Sequence, residues 1–200
     1  MYFLLASNNP DKKREIERIM HPYSIMTPKD IGIEYHAEET GKTFLENALI
    51  KAETLYKTLK LPVIADDTGL CCDFLNGAPG VYSARFAGEN ATYEDNRKKL
   101  IELAKKVPEK ERTAHFITVA VLYLGEERYF HFEGRVDGII LTEQRGKNGF
   151  GYDPIFYYPP LKMTFAEMPE KLKNSVSHRH KAFKKLKEFI DFLNEEGYLP

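Results

Sequence analysis

Long apolar runs, an excess of either charge, and cysteine are all scarce in this chain of 200 residues. No stretch approaches the roughly 18 consecutive apolar residues of a membrane-spanning helix, so no membrane partner is expected. The opening "MYFLLASNNPDKK" has an apolar run of only about five residues and no basic leader, so it reads as a buried first strand and not as a secretory signal. Lysine and arginine total 29 against 30 aspartate and glutamate, a net charge of −1. That balance argues against a nucleic-acid binder, which needs a basic surface. Any polyanion site must be built from local lysines and arginines. The only cysteines are the neighbours Cys71 and Cys72. Adjacent cysteines rarely bridge each other and no partner ligands accompany them, so two reduced thiols in a cytoplasmic protein are expected. Internal repeats, low-complexity linkers, a GxxxxGK[ST] loop and a GxGxxG fingerprint are absent as well. A single domain spanning residues 1–200 is the expectation.

What is present is a series of well-punctuated elements. "YFLLA" predicts a short buried strand; Asn9 as N-cap and Pro10 at the first helical position predict a helix to about Met20. Thr43 and Glu46 form a capping-box pattern ahead of Phe44, Leu45, Ala48, Leu49, Ala52, Leu55 and Leu59, a helical period reaching about Lys60. "PVIA" at 62–65 predicts a second short strand, and Thr92 with Asp95 can cap a helix to about Val107. From Arg112 to Leu141, "HFITVAVLYL" and "ERYFHFEGRVDGIIL" are β-branched and aromatic around a Gly125–Glu126 turn, the pattern of an antiparallel meander. A last helix is expected from about His178 to Asn194, with Ala182, Phe183, Leu186, Phe189, Ile190 and Leu193 as its apolar stripe. Helices interleaved with strands, plus a meander, indicate an α/β fold with a mixed sheet.

Polar residues collect at strand ends and loops, where sites are usually built. In "SNNPDKK", a hydroxyl, amides and Lys12 surround a helix N-terminus, an arrangement suited to phosphate. In "IADDTGL", two carboxylates end an apolar strand, a common way to offer hard oxygens to Mg2+. Successive strand residues point to opposite faces, so one of Asp66 and Asp67 is expected to face the site and the other to bond locally. "HAEETG" at 36–41 is a source of a second carboxylate for the same ion. "GAPGVYSARFAG" holds an arginine among small and aromatic residues. "RGKNGFGYDPIF" combines glycines, the flat faces of Phe150 and Tyr152, and the acceptor Asp153, which suits the stacking and edge recognition of a base. Near the C-terminus, Ser177, His178, Arg179 and His180 cluster where a helix begins, although a helix N-terminus disfavours cations. Together the clusters suit a Mg-bound nucleoside triphosphate.

The segments "SNNPDK", "AEETGKTFLENALIKA", "ADDTGL", "GAPGVYSARFAG", "GFGYDPIF" and "KNSVSHR" occur in an order, and over nearly the whole chain, that resembles the inosine triphosphate pyrophosphatase family. The resemblance implies release of pyrophosphate from ITP, dITP or XTP, a Mg2+ requirement and a homodimer. It also implies two lobes around a long mixed β-sheet with flanking helices and the nucleotide cleft between the lobes. By the same resemblance Ser7, Asn9 and Lys12 belong to the phosphate-binding start, with Asn8, Pro10 and Asp11 in the same loop. Glu38 and Asp67 match the Mg2+ ligands, and Asp67 also the acceptor that activates water. Thr68, Lys51 and Arg85 match substrate contacts, Phe150, Gly151, Tyr152 and Asp153 the base-binding loop, and Lys173, His178 and Arg179 the C-terminal contacts. Ser7 keeps the hydroxyl of the commoner threonine, and Asn8 stands where glycine is frequent. Hydrogen-bond donors on His178 and Arg179 would pair with the 6-oxo group of hypoxanthine or xanthine and fail with the 6-amino group of adenine. A pyrophosphatase for modified pyrimidine or methylated nucleotides and a catalytically silent nucleotide sensor are the rival readings, and a structural or RNA-binding protein, the third, sits badly with the near-zero net charge. "FGYD" with "SHR" disfavours the first, and the retained Glu38 and Asp67 disfavour the second.

Overall fold

The protein is described by a computed structural model covering residues 1–126 and 128–198. Glu127, in the second half of the expected meander, lies outside the described residues. In chain order the elements are β1 (Tyr2–Leu5), α1 (Pro10–Met20), β2 (Ser24–Met26), α2 (Phe44–Leu59), β3 (Val63–Cys72), α3 (Tyr93–Ala104), β4 (Thr113–Gly125), β5 (Arg128–Ile140), β6 (Phe156–Tyr158), β7 (Met163–Thr164), α4 (Glu170–Val176) and α5 (His178–Glu195). The strands form one seven-stranded sheet in the order β2-β1-β3-β4-β5-β6-β7. β1 runs parallel to β2 and β3, with Leu4 opposite Val63, whereas β6 is antiparallel to β5 and β7. The sheet is therefore mixed, as the sequence predicts.

Local chemistry explains most boundaries. The Asn9 side chain accepts from the amides of Asp11 and Lys12, and Pro10 follows at the first position of α1. Capping boxes at Thr43/Glu46 and Thr92/Asp95 open α2 and α3. β3 is the main departure. The apolar run ends at Ala65, but the strand continues for ten residues through Asp66 and Asp67 to Cys72, because lysines take up both carboxylates. The three-residue strands β2 and β6 and the two-residue β7 are too short to leave a period in the sequence.

The chain divides into two compact units: Met1–Asp67 with Thr118–Gly134 and the chain from His178, and Thr68–Ile117 with Arg135–Ser177. In the first unit, alternation along each strand feeds two separate cores. Phe3, Leu5, Ile64 and Leu122 pack with Ile16 and Met20 of α1 and Phe183 and Leu186 of α5. Leu4, Ala6, Val63, Ala65 and Val121 pack with Ala48, Ala52 and Leu55 of α2. Full burial of each such aliphatic or aromatic side chain is worth about 1.5–3 kcal/mol. In the second unit one parity dominates. Leu70, Cys72, Ala114, Phe116, Val136 and Ile140 join Leu100, Phe156 and Phe165 in one core. The alternate positions Cys71, Thr113, His115, Arg135 and Asp137 are partly or fully exposed.

Candidate active site

In the first unit, β3 brings two carboxylates into a region closed on both sides, where isolated charges would be costly. Asp66 is 1% exposed and Asp67 5%. Each receives a lysine. Lys12, from the first turn of α1, reaches Asp66 Oδ2 at 2.8 Å. Lys51, from the middle of α2, reaches Asp67 Oδ1 at 2.9 Å and Glu39 Oε1 at 3.3 Å. Asn47, one turn before Lys51, donates from Nδ2 to Asp67 Oδ2 at 3.3 Å.

The electrostatics of the two aspartates diverge. Burial works against the Asp66 charge, but Lys12, Arg179 and Lys51 outweigh it and hold the carboxyl well below the usual carboxylate range. At Asp67 burial prevails over Lys51 and Lys12, and the carboxyl is raised. Lys51 loses charge stability to burial, yet Asp67, Asp66 and Glu39 more than restore it, so the ammonium is held above its ordinary value. Lys12 is lowered by burial, with Asp66 opposing. The two aspartates thus differ in kind. Asp66 is a fixed anion, and Asp67 is a carboxylate with increased proton affinity.

The loop ahead of α1 folds on itself. Ser7 Oγ accepts from the Asn9 amide at 3.1 Å, and Asn8 Nδ2 donates to the Tyr35 carbonyl at 2.9 Å. Pro10 is exposed, and Asp11 lies 3.2 Å from Arg14. Of the paired glutamates, Glu39 meets Lys51 while Glu38 is exposed. At the start of α5, His178 and Arg179 are 3% and 2% exposed, and Arg179 is 2.5 Å from Glu15 of α1. That buried glutamate supplies the negative charge that α5 itself lacks in its first turn.

The second unit carries a different cluster. Lys173 of α4 and Asp153, both 3% exposed, meet at 2.5 Å. Asp153 Oδ2 also accepts from the Phe150 amide at 2.9 Å. Gly149 has φ +70° and backs onto the Asp153 carboxylate so closely that a Cβ would collide with it, which requires glycine there. Lys173 Nζ is 4.8 Å from the centre of the Phe150 ring, and Tyr93 lies 6.0 Å from that ring. The Gly151 carbonyl accepts from Arg97 at 2.7 Å. Tyr152 is a core residue, with its hydroxyl donating to the Ser83 carbonyl at 2.8 Å. Thr68 is half-buried, and Arg85 lies 5.2 Å from the Tyr82 ring.

Within the first unit the structure gathers Lys12, Lys51, Asp67 and Arg179, and in the second Phe150, Asp153 and Lys173. Sequence reasoning did not single out Glu15, Glu39, Asn47 or Arg97, and it gave Asp66 only a local role. One signal was available. Asn47 and Lys51 are polar residues four apart on the face of α2 that also carries Ala48, Ala52 and Leu55, so they are buried with them.

Among the described residues no group of three or more His, Cys, Asp or Glu side chains is gathered into a metal cage. The available donors are carboxylate oxygens on lysine-rich ground. That fits Mg2+, which commonly uses one or two carboxylates and takes its other ligands from phosphates and water.

The sequence matches the Ham1 family over residues 3–189. A curated relative, the dITP/XTP pyrophosphatase of Thermoanaerobacter pseudethanolicus, is 50% identical over 192 residues, covering 95% of this chain and 96% of that one. The solved structure of the Staphylococcus aureus Ham1 protein is similar at 39% identity and a TM-score of 0.85, covering 96% of this chain and 98% of that one. A HAM1 protein from Coxiella burnetii is similar at 38% identity and a TM-score of 0.87, with the same coverages.

Proposed function

The chain belongs to the Ham1 family, and from that premise we propose that it hydrolyses non-standard purine nucleoside triphosphates, ITP, dITP and XTP, to the monophosphate and pyrophosphate, clearing them from the nucleotide pool. The observation that carries this reading is the set Lys12–Asp66 and Lys51–Asp67–Glu39, drawn from α1, α2, β3 and the irregular segment ahead of α2, with Lys51 and both aspartates buried. It combines fixed cations for a triphosphate with one carboxylate of raised proton affinity.

Lys12 and Lys51 bind and orient the phosphates, with the loop Ser7–Asp11 in support. Lys173 is the third candidate cation. Held by partners already in place, these groups need little reorganisation when charge develops in the transition state. Asp67 accepts the proton of the water that attacks the α-phosphorus. Glu38 and Asp67 are the residues that would hold Mg2+, with Glu39 alongside; the ion supplies charge neutralisation for the phosphate oxygens. Phe150 offers a stacking face, and His178 and Arg179 offer donors for a 6-oxo group. Arg179 Nη1 donates to Glu15.

Both units are assigned to one nucleotide pyrophosphatase domain over residues 1–200. The protein is expected to act as a cytoplasmic homodimer with no nucleic-acid or membrane partner; no helix among the described residues is long and apolar enough to cross a membrane. Pyrophosphate release across a panel of purine and pyrimidine triphosphates, with and without Mg2+, tests the reading. ITP and XTP should be cleaved only with the ion, and ATP should be poor. Comparable turnover of ATP and ITP at equal concentration would sink the 6-oxo account.

A further inference from the structure

Residues 33–40 contain no helix or strand, yet they carry both Glu38 and Glu39. An irregular segment of this length keeps its course only if something fixes it, because each ordered residue loses backbone entropy. Three of its fixings lead to α2 beside Asp67, and one to the loop ahead of α1. Tyr35 donates its phenol O–H to the Lys51 carbonyl at 2.9 Å. That carbonyl sits in the middle of α2, where the helix ladder uses one lone pair and leaves the second for an outside donor. The backbone carbonyl of Tyr35 accepts from Asn8 Nδ2 at 2.9 Å, which ties the same residue to the loop ahead of α1. Four residues on, Glu39 accepts from Lys51 Nζ, and Lys51 Nζ also holds Asp67. At the far end the Gly41 amide donates to Asn47 Oδ1 at 2.8 Å, while Asn47 Nδ2 donates to Asp67 Oδ2.

We propose that Tyr35 is a positioning residue: its phenol pins segment 33–40 to α2 at the Lys51 carbonyl, beside the tie that its backbone carbonyl makes to Asn8, so that Glu39 of the segment meets the Lys51–Asp67 pair in register. Tyr35 touches no reacting atom; its phenol acts through Lys51 and Glu39. The inference rests on the proposed function for its kinetic consequences and on geometry alone for the pin. Partial burial of the ring raises the phenol well above its ordinary value, so it remains a donor at any working pH.

The test replaces Tyr35 by phenylalanine, which keeps the ring and removes only the hydroxyl. Tyr23→Phe serves as the control, because it removes a phenol of the same unit that bonds to Asp191 at 2.6 Å and has no part in the site. With ITP, Tyr35→Phe should lower kcat by about 3- to 10-fold, the range for one lost neutral hydrogen bond, and raise the Mg2+ concentration for half-maximal rate by a similar factor. Without nucleotide or metal, hydrogen exchange at the amides of residues 36–41 should quicken while exchange in the core turns of α2 stays unchanged. Tyr23→Phe should leave kcat, Mg2+ dependence and this exchange as they are. Unaltered exchange in Tyr35→Phe would overturn the pin. Altered exchange with wild-type kcat and Mg2+ dependence would overturn the positioning role, as would an equal kinetic change in Tyr23→Phe. If the wild-type protein releases no pyrophosphate from any purine triphosphate, the functional reading fails, and the exchange arm still decides the pin.

Discussion

Each unit buries a lysine against an aspartate, but the two pairs have different surroundings. Lys51–Asp67 belongs to a polar set with Glu39, Asn47, Lys12 and Asp66, between sheet faces that are covered on both sides. Lys173–Asp153, on α4 and in the turn ahead of β6, has the Phe150 ring and the Phe150 amide beside it. The first arrangement tolerates changes of charge, because Lys51 meets two carboxylates and Asp67 has both Lys51 and Asn47. The second sets an ion pair beside a flat hydrophobic ring.

The largest expected effect separates the chemical role from the structural one. Asp67→Asn keeps the shape and should retain ITP binding while pyrophosphate release falls by about 10²- to 10⁴-fold, the range for a lost general base; unchanged turnover would refute the assignment. Stability should show the opposite ranking. Lys173→Met leaves buried Asp153 without the lysine that meets it and should cost about 3–5 kcal/mol in denaturant unfolding. Lys51→Met should cost less, because Asp67 keeps Asn47 and its raised pKa eases protonation. An equal cost would erase the distinction between the two pairs.

Smaller effects sharpen it. A Cβ on Gly41 would lie 2.7 Å from Asn47 Oδ1, so Gly41→Ala should push the Asn47 amide off Asp67 and lower kcat by about tenfold, with little change in KM. Phe150→Leu should do the reverse, raising KM for ITP by about 5- to 10-fold through lost stacking while kcat holds. The weakest effect is the response to acid. Asp66 has a depressed pKa in the folded state, so its stabilisation is complete above the unfolded value of about 3.9 and is lost as pH falls through the lower folded value. Asp30, held at about 2 by Lys13 and the Thr27 amide and hydroxyl, follows the same sign. It is 35% exposed, so its share is under about 1 kcal/mol. Acid unfolding of Lys12→Met should lose most of the Asp66 component, which a pH series of denaturant midpoints would reveal.

The helices were legible because their signals are local. Asn9 and Pro10 start α1, and the capping boxes at Thr43 and Thr92 start α2 and α3, where the sequence predicts. α3 stops at Ala104 and not near Val107, as frayed last turns often do. β3 was truncated in the sequence reading because two aspartates end an apolar run on paper, and only their lysines, 54 and 16 residues away, show why the strand continues. The same blindness hid Glu15 from Arg179, 164 residues apart.

The sequence by itself determined the helix starts, the mixed α/β class, the lack of membrane-length apolar segments and the segments that carry chemistry, because caps, periods and composition are properties of neighbouring residues. Only the tertiary structure decided that Glu39 and not Glu38 meets Lys51, that Tyr152 belongs to the core, and that Asp66 and Asp67 titrate in opposite directions. Those outcomes depend on which charges burial brings within a few ångströms, and burial is a property of the folded chain as a whole.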